Sequence, residues 1–200
     1  MKIKLLLLLF LTFNTKTDIL PNVLQKYTNS VFVCTGIASG TILTHAIEIN
    51  CINGAFRKIY GIEENGILAD HSRKFVIPNC VAYYKPKNLN LCEIYHKNSI
   101  SDLADVINKV DKPITFVLAS QFPDWTDPKK NNFILYELDQ IKKHRIKKHI
   151  ILIDYIYFGN INLENLKNKL LEINSKYKFK FEDGGHLGKE KDAVLVAYFK

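Results

Sequence analysis

Lys112-Pro-Ile-Thr-Phe-Val-Leu-Ala-Ser-Gln-Phe122 and His149-Ile-Ile-Leu-Ile-Asp-Tyr-Ile-Tyr157 decide the fold. Each carries a short apolar run bounded by polar residues, the pattern of a strand buried on both faces of a parallel sheet. Ligand sites in such sheets form beyond the carboxyl ends of the strands. The second strand ends on Asp154, whereas the first ends on the uncharged Ala119-Ser120-Gln121. Only one of the two tips therefore offers a carboxylate.

Working outward, strands and helices alternate. Ser30–Thr35 reads as a strand, Gly36–Gly40 as a turn and Thr41–Asn50 as a helix with Ile42, Leu43, Ala46 and Ile47 on one stripe. Arg57–Ile62 is a second strand running into Glu63 and Glu64. Leu68–Phe75 is expected as a helix and Cys80–Tyr84 as a strand, with Leu91–Tyr95 either a further strand or a continuation of that edge. Ser99 or Ser101 is placed to cap the next helix. Helices are expected over about Asn132–His144 and Leu163–Ile173. Lys176–Phe181 alternates with period two, and Ala193–Phe199 closes the chain after a Gly-rich loop. The alternation predicts an α/β, Rossmann-like, doubly wound sheet. The last two strands have no helix between them, which predicts a C-terminal antiparallel hairpin.

The 200 residues suit one domain of residues 18–200 preceded by a leader of residues 1–17. Lys2 and Lys4 precede Leu5-Leu-Leu-Leu-Leu-Phe-Leu-Thr-Phe13, a charged segment followed by an apolar run too short to span a bilayer as a helix. This segment suits a protein secreted or membrane-associated through the leader, the membrane being met only there, and otherwise a cytoplasmic one. The net charge is +8, and its densest run is Lys142–His149, at the end of a predicted helix where cations suit the dipole. Nucleic-acid binding is not expected from this distribution. The four cysteines include no CxxC pair and the six histidines no HExxH pair, so no metal site is expected from them.

Four features carry chemistry. Thr35-Gly36-Ile37-Ala38-Ser39-Gly40 follows a strand and opens a helix, so its backbone can approach a ligand and the helix N–H groups can face it. Its spacing is G-x-x-x-G, which also suits a plain tight turn. Glu63, at the end of the second strand, can accept both hydroxyls of a ribose; Glu64 beside it leaves the choice open. Asn98 can pair an adenine edge through its amide, or cap a helix. Asp154 stands alone where a divalent cation would need several oxygen ligands.

Together these segments resemble the class I S-adenosylmethionine-dependent methyltransferases related to macrocin O-methyltransferase. The likeness rests on Lys112–Leu118, Ile134-Leu-Tyr-Glu-Leu-Asp-Gln-Ile141, Lys148–Asp154, Leu170–Asn174, Tyr177-Lys-Phe179, Glu182-Asp-Gly184 and Ala193–Tyr198. It runs more loosely through Thr35-Gly36, Gly40-Thr41 and Ile59–Glu63. It implies a sheet ordered 3-2-1-4-5-7-6 and S-adenosylmethionine as cofactor, with Thr35, Gly36, Ser39 and Gly40 around it, Glu63 on the ribose and Asn98 near the adenine. It implies transfer to a small hydroxylated acceptor such as a sugar, with Asp154 as base and Gln121 positioning the acceptor.

The departures fall on the chemistry. Relatives carry an acid where Cys34 stands, an Asp commonly where Asn98 stands, an Asp and a His at the Leu118–Phe122 strand end, and two adjacent Asp where this chain has Asp154-Tyr155. No divalent metal is therefore expected, and a catalytically inactive binding module on the same scaffold is the alternative.

Overall fold

The computed structural model describes residues 21–38, 40–85, 90–119, 133–154, 161–184 and 190–199. Seven strands form one sheet: β1 (Val31–Thr35), β2 (Lys58–Glu63), β3 (Cys92–His96), β4 (Ile114–Leu118), β5 (Ile150–Asp154), β6 (Lys178–Gly184) and β7 (Glu190–Tyr198). Their order is β3-β2-β1-β4-β5-β7-β6, the order the resemblance implies. β1 to β5 are parallel, and β7 runs antiparallel between β5 and β6.

Side-chain alternation divides the interior into two cores. Phe32 and Cys34 of β1 face one side, against α1 (Pro21–Lys26) and α2 (Thr41–Asn53). Val31 and Val33 face the other, against α5 (Ser99–Ile107), α6 (Phe133–Lys143) and α7 (Leu163–Ile173). β1, β4 and β5 are buried almost throughout, which explains why their sequences read as continuous apolar runs.

Cys80–Tyr84 is helical rather than a strand. α3 (Gly66–His71) passes through one π turn (Ser72–Val76) directly into α4 (Ile77–Tyr84). Val81, Tyr83 and Tyr84 favour strands in isolation, and Pro78 stands directly after the π turn, where the winding has widened. Cys80 is buried in the core beside Thr44 of α2, with Sγ and Oγ1 3.3 Å apart. The third strand is β3 instead. The cap of α5 is Asn98, not Ser99 or Ser101.

Two polar clusters hold the sheet's periphery. Glu182 of β6 accepts from Lys26 Nζ at 3.0 Å, Tyr27 Oη at 2.7 Å and Lys180 Nζ at 2.8 Å. Burial pushes its carboxyl up, but these donors prevail and hold it at about 2. The second cluster breaks the expectation of a wholly solvated basic run, because His144 and His149 are fully buried. The Ile114 N–H donates to His149 Nδ1 at 3.1 Å, so the proton of neutral His149 lies on Nε2. Nε2 faces His144 Nδ1 at 3.0 Å, and His144 Nε2 reaches the Val110 carbonyl at 2.9 Å. Every ring nitrogen is satisfied when both rings are neutral. Burial pushes His149 down to about 3 and lowers His144 as well.

Candidate functional site

The strand order reverses between β1 and β4, so the cleft beyond their carboxyl ends is where such sheets bind ligands. β1 delivers Thr35 there and turns sharply through Gly36 (φ 64°), Ala38 (φ 44°) and Gly40 (φ 85°) into α2. The Gly36 N–H donates to the Ile62 carbonyl of β2 at 2.9 Å, and the Gly40 N–H to the Ile37 carbonyl at 2.7 Å. Gly40 is required twice over: its φ is left-handed, and a Cβ would lie 2.8 Å from Val76 Cγ1. It gives α2 no side-chain cap of its own.

Glu63 ends β2 and is 2% exposed, whereas Glu64 is exposed. Oε2 accepts the Ala38 N–H at 3.0 Å, and Oε1 accepts the Asn65 N–H at 2.9 Å. The Glu63 carbonyl accepts the Lys97 N–H at 3.1 Å. The carboxylate therefore fastens the glycine loop to the end of β2, and each oxygen keeps a further lone pair for a hydroxyl. Of the two acids, Glu63 is the one buried against the glycine loop.

Asn98 caps α5. Its Oδ1 accepts the Ile100 N–H at 2.8 Å, and its own N–H donates to Asp102 Oδ2 at 3.2 Å, a reciprocal cap. Its amide NH₂ has no partner among the described residues, which leaves donors for a base edge. Asp154 ends β5 at 1% exposure, paired in register with Val194 of β7. Ala119, one residue beyond the Leu118–Ile153 pair, is also buried. Ser39 and Gln121 lie outside the described residues, as do Ser120, Phe122 and Tyr155.

Sequence reasoning missed Glu137, which α6 carries fully buried. The signal was present, since Ile134, Glu137, Leu138 and Ile141 form one helical stripe. Burial first, then Glu137 and Glu63, push the Cys34 thiol well up, so it stays neutral. A second unexpected observation is Thr35 Oγ1, wholly buried with no hydrogen-bond partner among the described residues. An orphaned hydroxyl beside a glycine turn, a helix N-terminus and a buried carboxylate fits a bound nucleoside cofactor. Among the described residues, no group of three or more His, Cys, Asp or Glu is arranged to hold a metal ion.

No protein-family model matches the chain, and no curated protein gives a significant match. Solved structures do match. Methyltransferase FkbM from Methylobacillus flagellatus superposes with a TM-score of 0.57 at 17% identity, over 86% of this chain and 44% of that one. The O-methyltransferase from Bacillus cereus, solved with S-adenosylhomocysteine, matches with a TM-score of 0.55 at 12% identity, over 98% of this chain and 89% of that one. The S-adenosylhomocysteine-bound Podospora anserina methyltransferase PaMTH1 matches at 0.51 and 11% identity, over 86% and 72%. This chain spans less than half the length of the Methylobacillus protein. The fold is the Rossmann-like methyltransferase fold, with its antiparallel C-terminal hairpin.

Proposed function

We propose that the protein is an S-adenosylmethionine-dependent methyltransferase acting on a small hydroxylated molecule such as a sugar. The observation that carries this is the Glu63 carboxylate, buried at the switch-point cleft and closing the glycine loop through the Ala38 N–H at 3.0 Å. When bound, the cofactor supplies an electrophilic methyl group on a sulfonium. The loop from Thr35 to Gly40 would hold it, with Glu63 accepting from the ribose hydroxyls and Asn98 pairing the adenine edge. Asp154 takes the acceptor's hydroxyl proton, and Gln121 positions the acceptor. Such a transfer gains most from proximity and alignment, with a base adding to it for a hydroxyl acceptor.

Calorimetric titration with S-adenosylmethionine tests the reading directly. Binding that weakens about tenfold in Glu63→Gln is expected, the loss of roughly one charge-assisted bond. No heat at millimolar ligand would overturn it. One observation favours the second reading, a binding module without turnover: Asp154 is 1% exposed, in register with Val194 of the neighbouring β7. Cofactor binding without methyl transfer to any hydroxylated acceptor, unaffected by Asp154→Asn, would establish that alternative.

A further inference from the structure

The edge of the sheet opposite the cleft has a chemistry of its own. In this topology the segments that enter β1, β2, β4, β5 and β6 all lie along that edge, because β6 runs parallel to β1 to β5. Hydrogen bonds knit them together. The Arg57 N–H donates to the Ser30 carbonyl at 2.7 Å, the Asn29 N–H to Thr115 Oγ1 at 2.7 Å, and Asn174 Nδ2 to the Lys147 carbonyl at 2.9 Å. The His149–Ile114 bond joins the remaining two segments.

These segments expose Arg57, Lys112, Arg145, Lys148, Lys176 and Lys178. None of these six is paired with a carboxylate among the described residues. The same entry segments carry a single acid, Asp111. Six inter-strand steps make the edge about 29 Å wide. At that scale the charges act together, because neighbouring strands lie within a Debye length of about 8 Å.

The helices on one face add apolar groups to the same rim. α2 and α4 run back from the cleft and end there, and their last turns expose Ile52 at 68% and Tyr83 at 76%. An exposed Ile gains nothing from a phosphate backbone in water, but it gains from the acyl boundary of a bilayer, where Tyr also sits well. The sequence ahead of α1 bears Lys2, Lys4 and the apolar run of residues 5–13, a second membrane-directed signal in the same chain.

We infer that the basic edge formed by Arg57, Lys112, Arg145, Lys148, Lys176 and Lys178, rimmed by Ile52 and Tyr83, docks on an anionic membrane surface. Docked in this way, the protein turns its cleft away from the bilayer toward soluble ligands. The inference does not depend on the proposed methyl transfer.

The test is co-sedimentation of the full chain with vesicles of phosphatidylcholine alone and of two parts phosphatidylcholine to one part phosphatidylglycerol. Preferential partition onto the anionic vesicles is expected, reduced by added salt to the apolar part. Each neutralised lysine should cost about fivefold. The triple variant Lys112→Gln, Lys148→Gln, Lys178→Gln should therefore lose about a hundredfold on anionic vesicles, with its far-ultraviolet circular dichroism unchanged. Ile52→Ser with Tyr83→Ser should weaken binding at high salt, where the apolar part remains. Equal partition onto both vesicle types would overturn the inference. So would a triple variant that binds like the wild type, since the leader alone would then suffice. Transfer from anionic vesicles to an equal phosphate concentration of nucleic acid, abolished by the same triple variant, would assign the edge to nucleic acid instead.

Discussion

Acidification between pH 7 and pH 5 should destabilise this protein through two buried rings. His149 has an ordinary value of 6.5 and is pushed down to about 3 in the fold by burial and by His144. The unfolded chain therefore takes up a proton as pH falls below 6.5, while the folded chain does not. Stability is full above that value and is lost progressively down to about 3. At pH 5 the deficit from His149 alone is about 1.5 pH units at about 1.4 kcal/mol each, or about 2 kcal/mol. His144, also lowered by burial, adds to it. The structural reason is specific: a proton on His149 Nδ1 would point at the Ile114 N–H that now donates to it. Carboxylates held low by partners, Glu182 among them, lose their contribution only below about 4.5, so this pH window isolates the histidines. Urea unfolding followed by circular dichroism at pH 7, 6 and 5 measures the slope. His149→Leu should start less stable by about 1–3 kcal/mol, because its partners lose their bonds, yet show a shallower slope. A wild-type slope near zero, or one unchanged in His149→Leu, would refute the reasoning.

Two substitutions probe the cleft. Gly40→Ala forces a side chain into left-handed backbone 2.8 Å from Val76 Cγ1, and should cost about 1–3 kcal/mol in thermal unfolding; adding Val76→Ala should recover part of it, and no recovery would show that backbone strain dominates. Asn98→Ala removes the α5 cap and should cost about 1 kcal/mol; if cofactor affinity stays at the wild-type value, Asn98 is a cap and nothing more.

The sheet was readable because burial on both faces writes itself into β4 and β5 as unbroken apolar runs, and because no helix separates β6 from β7. Cys80–Tyr84 was not, since its strand propensity is local while its helical state comes from packing on α2. The site divides similarly. Glu63 could be placed from its position after a strand, but its bond to Ala38 joins residues whose meeting depends on the folded sheet. His144 and His149 looked like part of a solvated cationic run. Only the Ile114 and Val110 backbone groups that receive them make their burial affordable, and those lie in a different segment.

The π turn at Ser72–Val76 has a consequence for how this chain tolerates change. The Ile77 N–H reaches back to the Ser72 carbonyl, one residue further than in an α-helix. Beyond it α4 resumes regular winding, with Val76 against Gly40 and Cys80 against Thr44. Deleting one residue between Ser72 and Val76 would restore regular winding while keeping α4 in phase with α3. The π turn is thus where this helix can lose one residue at least cost, whereas a deletion on either side of it would turn the rest of the helix by about 100°.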